Sequence, residues 1–487
     1  MAHTGNEVEV VVVGAGAAGL AVATELGDHG VSTLLLEQRL EPSTLPRATV
    51  ISTRSMELLR GWGLEAEILA GGVEADVWLW ECTTLARAAE GQAHAVGYPS
   101  REQAAVVSPC APGTVPQDWL EVVLRRHVDT LPAVRLEAGS RLVGLVNAAH
   151  GVQATVQDAT GAVRTVRSRY LVGADGAHSQ VRSLLGVEMR DRDGALGGVQ
   201  VLFRAPLWEL LGSLRYALYV VTTPSAPGLF LPAGPDDRWV YAPSLPSGVD
   251  PASDLEASRL ADAIRGGAGV EELDPRIERI GSFYAPGQLA DRFRVGRTFL
   301  AGDAAHRVTP RGGTGMNTAL QGGYDLGWKL AWVLQGWARD ELLDSYEAER
   351  RVVAEHNLTR STDPDGSRRP VVDELNVDLG GRVGHAWMTS TAGRVSTLDR
   401  LGRGWTLFTG PSGAASDAVA SPTRAPLSVV TLDAVTARSI GVRGDGALLA
   451  RPDGAPVAVW ASAIGASDLR RAMELPASAP APEVAVA

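Results

Sequence analysis

The chain has a single lysine, Lys329, among 45 basic residues, and only two cysteines, Cys82 and Cys110, in 487 residues. Any mechanism that needs an amine nucleophile therefore has one candidate. Two distant cysteines cannot build a disulfide framework and lack zinc-ligand spacing, so two reduced thiols are expected, with no metal site. No apolar run reaches the ~20 residues of a membrane-spanning helix. The first residues lack the basic region and cleavage site of a secretory signal. Positive charge is also short: 45 Lys plus Arg face 56 Asp plus Glu, a net charge of −11. That balance repels phosphate-rich partners at long range and argues against nucleic acid or an anionic membrane as partner. The expectation is a cytoplasmic protein.

What the chain does have is apolar content, 45%, and length, 487 residues. At ~100–200 residues per domain this allows two to four domains, each with its own core. Residues 8–13 form a β-branched run that meets a glycine cluster. Residues 17–29 read as a helix of small and aliphatic residues, and residues 31–36 as a second strand. This is the start of a βαβ unit. Helical spacing recurs over residues 53–62 and 119–131, with an excursion of no clear period at 75–100. Alternation over 134–172, broken by Gly139, Gly151 and Gly161, predicts antiparallel strands. A β-rich stretch at 197–246 carries Phe203, Tyr216, Tyr219, Phe230, Trp239 and Tyr241, and is the expected wall of a substrate cavity. A strand at 298–301 leads through a second glycine cluster into a long helix at 316–337, and residues 340–357 form a charged helix.

Gly14, Gly16 and Gly19, with Ala17 and Ala18 between them, give G-x-G-x-x-G between a strand and a helix. The first glycine makes the tight turn, the second lets backbone approach a pyrophosphate, and the third allows close helix–strand packing. The helix N-terminus then offers free N–H groups to the anion. Glu37 ends the second strand and can accept hydrogen bonds from both ribose hydroxyls of an adenosine, which favours FAD or NAD over NADP at this place. Gln38 and Arg39 follow it.

Two further blocks stand in order along the chain. One is Gly173-Ala174-Asp175-Gly176-Ala177-His178-Ser179 with Arg182, the other Gly302-Asp303-Ala304-Ala305-His306 followed by Gly312-Gly313-Thr314-Gly315-Met316-Asn317. Together with the first glycine cluster, Glu37 and Arg39, they make residues 8–360 resemble the class A flavoprotein monooxygenases. This is the para-hydroxybenzoate hydroxylase-like family, which includes polyketide and phenol hydroxylases. Weaker parallels are Arg47, the run from Arg54 to Leu59, and Gln117. In the family the matching arginine and glutamine lie near the flavin. Asp303 is placed to hold a ribityl hydroxyl, and Gly313 and Gly315 to let backbone N–H groups approach the flavin. His306 reads as a buried structural hydrogen-bonder. Many members carry a Pro-Pro pair where this chain has Thr309 and Pro310, flanked by Arg307 and Arg311. In the family this loop passes the reactive edge of the flavin, so Arg311, Arg307 and Pro310 are the candidates there, Arg311 able to clamp an anionic oxygen.

The resemblance implies an α/β fold with a Rossmann-type FAD domain, a β-sheet substrate domain and a small thioredoxin-like C-terminal domain without a Cys-x-x-Cys pair. The expected boundaries are 1–75, 101–186 and 285–360 for the FAD domain, and 76–100 with 187–284 for the substrate domain. A linker is expected at 361–378, the thioredoxin-like unit at 379–474 and a disordered tail at 475–487. It further implies FAD reduced by NADPH or NADH, then reaction with O2 to a flavin hydroperoxide that hydroxylates an aromatic or polyketide-type small molecule. A homodimer is open to such a protein. The competing readings are N-oxygenation of an anionic amino-acid-like substrate, a flavin halogenase suggested by Trp78-Leu79-Trp80, and a non-catalytic flavin-fold binding protein.

Overall fold

The computed structural model describes residues 7–244, 256–390, 393–413 and 424–474. The β-branched run Val10–Val13 sits inside a six-stranded sheet. Thr33–Glu37 and Tyr170–Gly173 pair with it in parallel on either side, and Val134–Ala138 and Thr298–Leu300 extend the sheet in parallel. The short strand Arg294–Val295 closes one edge antiparallel. All four residues of Val10–Val13 are buried, as expected for a strand covered on both faces. Helix Ala17–Asp28 packs along the long helix Gly315–Leu334. Gly323 makes this approach possible, because a Cβ there would lie 2.3 Å from the Ala18 carbonyl oxygen.

The alternating stretch 134–172 does not form one antiparallel unit. Only Arg141–Ala148, Gly151–Gln157 and Val163–Ser168 make an antiparallel sheet, while the strands at both ends join the parallel sheet. Alternation marks strands but carries no information on which partner they choose.

A second large sheet has eight strands in the order His306–Arg307, Arg276–Ala290, Met189–Arg204, Arg238–Pro243, Gly228–Pro232, Tyr216–Val221, Asp76–Cys82 and Gln92–His94. The aperiodic excursion at 75–100 thus contributes two strands. The expected boundary before residue 285 falls inside the strand Arg276–Ala290, which runs on toward the flavin-domain loops. One face of this sheet packs on the helices Leu207–Leu211 and Ala257–Ala268, and the other faces the first domain.

The C-terminal unit has the strand order Leu427–Thr431, Trp405–Thr409, Ala447–Ala450, Pro456–Trp460, the first pair parallel and the others antiparallel. This is the expected mixed thioredoxin-like sheet. Residues 361–378 are not a plain linker. Arg360, Ser361 and Thr362 end the helix Asp344–Thr362, and Val371–Leu379 is a helix of its own. Its acidic residues are used inward: buried Glu374 accepts from Arg360 (2.8 Å) and His356 (3.0 Å), and Asp378 accepts from the backbone N–H of Arg54 (3.0 Å). The expected disordered tail, 475–487, lies outside the described residues.

Lys329, the lone lysine, is wholly buried in the long helix and donates to Asp325 and Glu349, each at 2.9 Å. Arg451 of the C-terminal unit donates to the same Glu349 at 2.8 Å. The carboxylates of Asp325, Glu349 and Asp453 lie close enough together to hold a cation. Protein cations already fill that role: Lys329 ties the long helix to the helix Asp344–Thr362, and Arg451 ties the latter to the C-terminal unit.

Candidate active site

The three sequence blocks meet at the carboxyl ends of the parallel strands, the usual ligand-binding edge of such a sheet. Gly14 has φ +102°, and a Cβ there would sit 2.4 Å from the Ala174 carbonyl oxygen. Gly19 is tighter still, at 1.9 Å from the Gly14 carbonyl oxygen. Gly16 meets nothing nearer than the Glu121 carboxylate at 3.9 Å, so its open side is left to a ligand. The N–H of Ala174 donates to Val13 (2.8 Å) and that of Ala301 to Gly173 (2.9 Å). Arg182 spans the second and third blocks, donating to Ala304 (3.1 Å) and Ala177 (3.0 Å).

Around this junction a continuous cavity of about 1010 Å³ is lined by Gly14, Gly16, Ala17, Ala18, Glu37, Gln38, Arg39, Arg47, Gln117, Asp175, Gly176, Asp303, Arg307, Pro310, Arg311, Gly313, Gly315 and Met316. Glu37 accepts from the N–H groups of Ala15 and Arg39, both at 2.9 Å, which fixes its carboxylate at the end of its strand. Gln117 donates to Glu121 at 2.7 Å, and burial raises the pKa of Glu121.

Asp303 is the most telling group. Its side chain is half-buried and lines the cavity, and among the described residues its carboxyl has no hydrogen-bond partner. Burial raises its pKa, while the charges of Arg47 and Arg307 pull the other way. A carboxyl with no protein donor that faces a cavity is left to accept from a ligand, and the ribityl hydroxyls of FAD are donors of the right kind. The bare approach at Gly16 and the backbone N–H groups of the helix beginning at Gly315 fit the pyrophosphate and flavin ends of the same molecule.

Two expected cofactor residues use their side chains elsewhere. Asp175 accepts from the N–H groups of Gln180 (2.7 Å) and Val181 (3.0 Å), so its carboxylate holds the start of the next helix. Asp175 and Gly176, the latter at φ +80°, both line the cavity wall. Asn317 is absent from that wall. Its amide accepts from the Ser52 N–H (2.8 Å) and donates to Val50 (3.1 Å) and Gly313 (3.3 Å), pinning the glycine loop. Tyr98, from the stretch that showed no period, braces the same loop by donating to Gly313 at 3.0 Å and lines the cavity. The sequence carried no signal for it.

His306 is buried against Phe293, and burial together with the Arg350 charge lowers its pKa to about 4, which leaves the imidazole neutral near pH 7. Arg307 donates to Gln288 at 2.7 Å. Arg311 lines the cavity, and among the described residues its guanidinium has no partner. Thr309, at the place of the first family proline, is buried and tied to the helix Asp344–Thr362: its hydroxyl donates to the Ser361 carbonyl at 2.5 Å, and its N–H donates to the Ser361 hydroxyl at 3.2 Å.

The β-rich stretch 197–246 does line the cavity, but through the face of the eight-stranded sheet opposite to its aromatics. Phe203, Tyr219, Phe230, Trp239 and Tyr241 point to the far face, where they form a core with Leu260 and Ile264. The cavity face carries their neighbours Leu218, Leu229, Leu231, Val240 and Ala242. The tryptophans that suggested a halogenase follow the same rule. Val77 lines the cavity, whereas Trp80 lies on the other side, stacked on Tyr216 at 4.8 Å.

Comparison with known proteins agrees with this geometry. Residues 7–361 match the family described as "FAD binding domain", and residues 377–480 that described as "Aromatic-ring hydroxylase, C-terminal". The chain thus belongs to the FAD-dependent aromatic hydroxylases, the class A flavoprotein monooxygenases. It is 33% identical to a tetracenomycin A2 monooxygenase-dioxygenase of Streptomyces glaucescens, with 96% of each chain covered. It is 32% identical to a 4-methyl-5-nitrocatechol 5-monooxygenase of a Burkholderia species, covering 92% of this chain and 93% of that one. The crystal structure of aklavinone-11 hydroxylase with FAD and aklavinone superposes with a TM-score of 0.85 at 28% identity, covering 97% of this chain and 99% of that one. The protein is an FAD-dependent monooxygenase that uses NAD(P)H and O2 and acts on an aromatic or polyketide-type small molecule. Among the described residues no helix is long and apolar enough to cross a membrane.

Proposed function

We propose that the enzyme hydroxylates a ring carbon of a fused-ring, polyketide-type aromatic, with FAD held by Gly14, Gly16, Glu37, Arg47, Gln117, Asp303 and the backbone of Gly313, Gly315 and Met316. The observation that carries this reading is one cavity that joins the partnerless Asp303 carboxyl to an apolar sheet wall, with the loop Arg307-Val308-Thr309-Pro310-Arg311 between them. FAD, when bound and reduced, supplies the activation of O2; the chain's part is to position substrate and keep water out. Leu218, Leu229, Leu231 and Val240 exclude water from the reacting face. Arg311 is the loop cation that orients a phenolate or enolate oxygen by charge-assisted hydrogen bonds. Arg307, engaged by Gln288, and Pro310 hold the loop's course beside the substrate.

N-oxygenation of an anionic amino-acid-like compound has less support, because the sheet wall of the cavity offers the aliphatic side chains Leu218, Leu229, Leu231 and Val240. The names of the relatives, which refer to tetracenomycin and aklavinone, favour the polyketide class for this chain too. Cytoplasmic location and a homodimeric assembly belong to the same proposal. The test is turnover of a panel of hydroxylated anthraquinones and single-ring phenols by the FAD-loaded enzyme with NADPH and NADH. Arg311→Leu should raise KM for ionisable phenols roughly tenfold or more, the value of one charge-assisted bond. An unchanged KM would mean that Arg311 does not hold the substrate oxygen.

A further inference from the structure

The wall of the substrate half of the cavity contains an arrangement of small and large residues that alternation alone does not explain. In the pairing of Met189–Arg204 with Arg276–Ala290, Gly198 stands opposite Phe283, and Gly281 stands opposite Gln200. Each large residue thus faces a glycine across the strand boundary. A Cβ on Gly198 would lie 3.0 Å from two ring carbons of Phe283, so the phenyl ring lies across the strand over Gly198. A Cβ on Gly281 would lie 4.0 Å from the Gln200 Cγ and 2.8 Å from the Leu45 side chain. Leu45 is thus the side chain that lies over Gly281, and Gln200 stands beside it in ordinary contact. Phe283 and Gln200 line the cavity with Leu196, on the face opposite to the buried Val199 and Val201.

We propose that these two glycine-facing pairs form a flat floor for a planar fused-ring substrate, with Gln200 as the residue that fixes its orientation. The inference rests on the aromatic-hydroxylase reading above and names what that reading leaves open, the determinant of substrate size and register. Phe283, laid down over Gly198, offers a π-face and lowers the floor, which admits an extended ring system edge to edge. Gln200 is the uncharged polar side chain on this stretch of leucine, valine and phenylalanine, and among the described residues its amide has no hydrogen-bond partner. A primary amide both donates and accepts, so it matches a ring carbonyl next to a phenolic hydroxyl and discriminates against a carboxylate, which needs only donors. Arg311 approaches from the loop side, so an oxygen held by Gln200 and one held by Arg311 define two separated points of a rigid substrate. Two fixed points decide which ring carbon faces the reactive edge.

The experiment uses full-length, FAD-loaded enzyme and three probes: a trihydroxyanthraquinone, unsubstituted anthracene-9,10-dione, and phenol. Binding is measured by perturbation of the flavin absorbance, and turnover by product, NAD(P)H consumption and hydrogen peroxide. Gln200→Leu should weaken the hydroxyquinone about tenfold, one net hydrogen bond. It should also divert NAD(P)H oxidation toward hydrogen peroxide and broaden the product from one regioisomer to several. Gln200→Glu, isosteric but without the donor, should not rescue it. Gly198→Ala should lift the Phe283 ring and weaken the fused-ring probes more than phenol, and Gly198→Ala with Phe283→Leu should recover part of the loss. An unchanged affinity, coupling ratio and product distribution in Gln200→Leu would overturn the orientation role, and equal losses for all probes in Gly198→Ala would overturn the floor. A wild-type protein that binds no flavin, or consumes no NAD(P)H with any aromatic, would refute the underlying function instead.

Discussion

Removal of one buried carboxylate should loosen the C-terminal unit from the rest of the enzyme. Glu57 lies at an interface between domains with its side chain 3% exposed, paired with Arg382, which is 4% exposed. It accepts from Arg382 Nε at 2.9 Å, from Arg54 at 3.0 Å and from the Ser108 hydroxyl at 2.7 Å. Glu57→Gln would leave the Arg382 guanidinium buried beside a neutral amide. Breaking a buried ion pair from one side costs roughly 3–5 kcal/mol, because the surviving charge has lost both its partner and its water. At ~1 °C per kcal/mol for a chain of 487 residues, the apparent Tm should fall by about 3–5 °C. Amide exchange should speed up first in the strand Trp405–Thr409 and its neighbours, with the flavin domain affected later. The double replacement Glu57→Leu with Arg382→Met should be less destabilised than Glu57→Gln, since it leaves no unpaired charge from that pair. Burial raises the pKa of Glu57, but the bonds and charges of Arg382 and the charge of Arg54 outweigh it and hold the carboxyl below its usual range. A depressed folded pKa gives stability that is present above the unfolded value of ~4.3 and lost as pH falls through the folded one. The gap between wild type and Glu57→Gln should therefore be full at neutral pH and shrink in acid. A Tm loss below ~2 °C at pH 7, or a double variant worse than the single, would refute the reasoning.

Glu25 gives the opposite pH dependence. Burial raises its pKa to about 8, against a hydrogen bond from the Trp62 indole at 2.7 Å. Stability from a raised carboxyl is present below its unfolded pKa and declines as pH rises through about 8. Thermal melts between pH 6 and 9 should thus fall more steeply for wild type than for Glu25→Gln, and parallel curves would contradict the assignment. For the cofactor, Asp303→Ala should weaken FAD by about 10- to 100-fold, as expected for a hydrogen bond to a charged group, read by flavin released on ultrafiltration. Asp175→Ala should act through the helix it caps, lowering Tm by ~1 kcal/mol's worth of stability with a smaller effect on FAD affinity.

The cofactor half of the fold is legible in the sequence because its constraints are local. Gly14 and Gly19 are demanded by backbone approach within a few residues, and Glu37 by its place at a strand end. Asp175 and Asn317 belong to the motifs that build the site, but their side chains serve the protein, since local helix-start and loop hydrogen bonds are invisible to a motif. The substrate half is less legible. Alternation locates the strands carrying Phe230, Trp239 and Tyr241, but a period of two defines two faces and does not say which one meets the ligand. The larger residues go to the core with the covering helices, and Leu229, Leu231 and Val240 go to the cavity. The cross-strand match of Gly198 with Phe283 depends on register between segments about 80 residues apart, which no local pattern records. The stretch 361–378 reads as a linker in sequence because residues 361–369 are rich in Asp, Pro, Ser and Arg, and only the fold shows the helix Val371–Leu379 with Glu374 buried against a partner on another helix.

The most direct measurement is turnover under 18O2 with FAD-loaded enzyme, NAD(P)H and a hydroxylated fused-ring aromatic. One labelled oxygen atom should appear on a ring carbon of the product, with one NAD(P)H consumed for each product formed. Product oxygen drawn from water, or NAD(P)H oxidation that the aromatic does not stimulate, would contradict it.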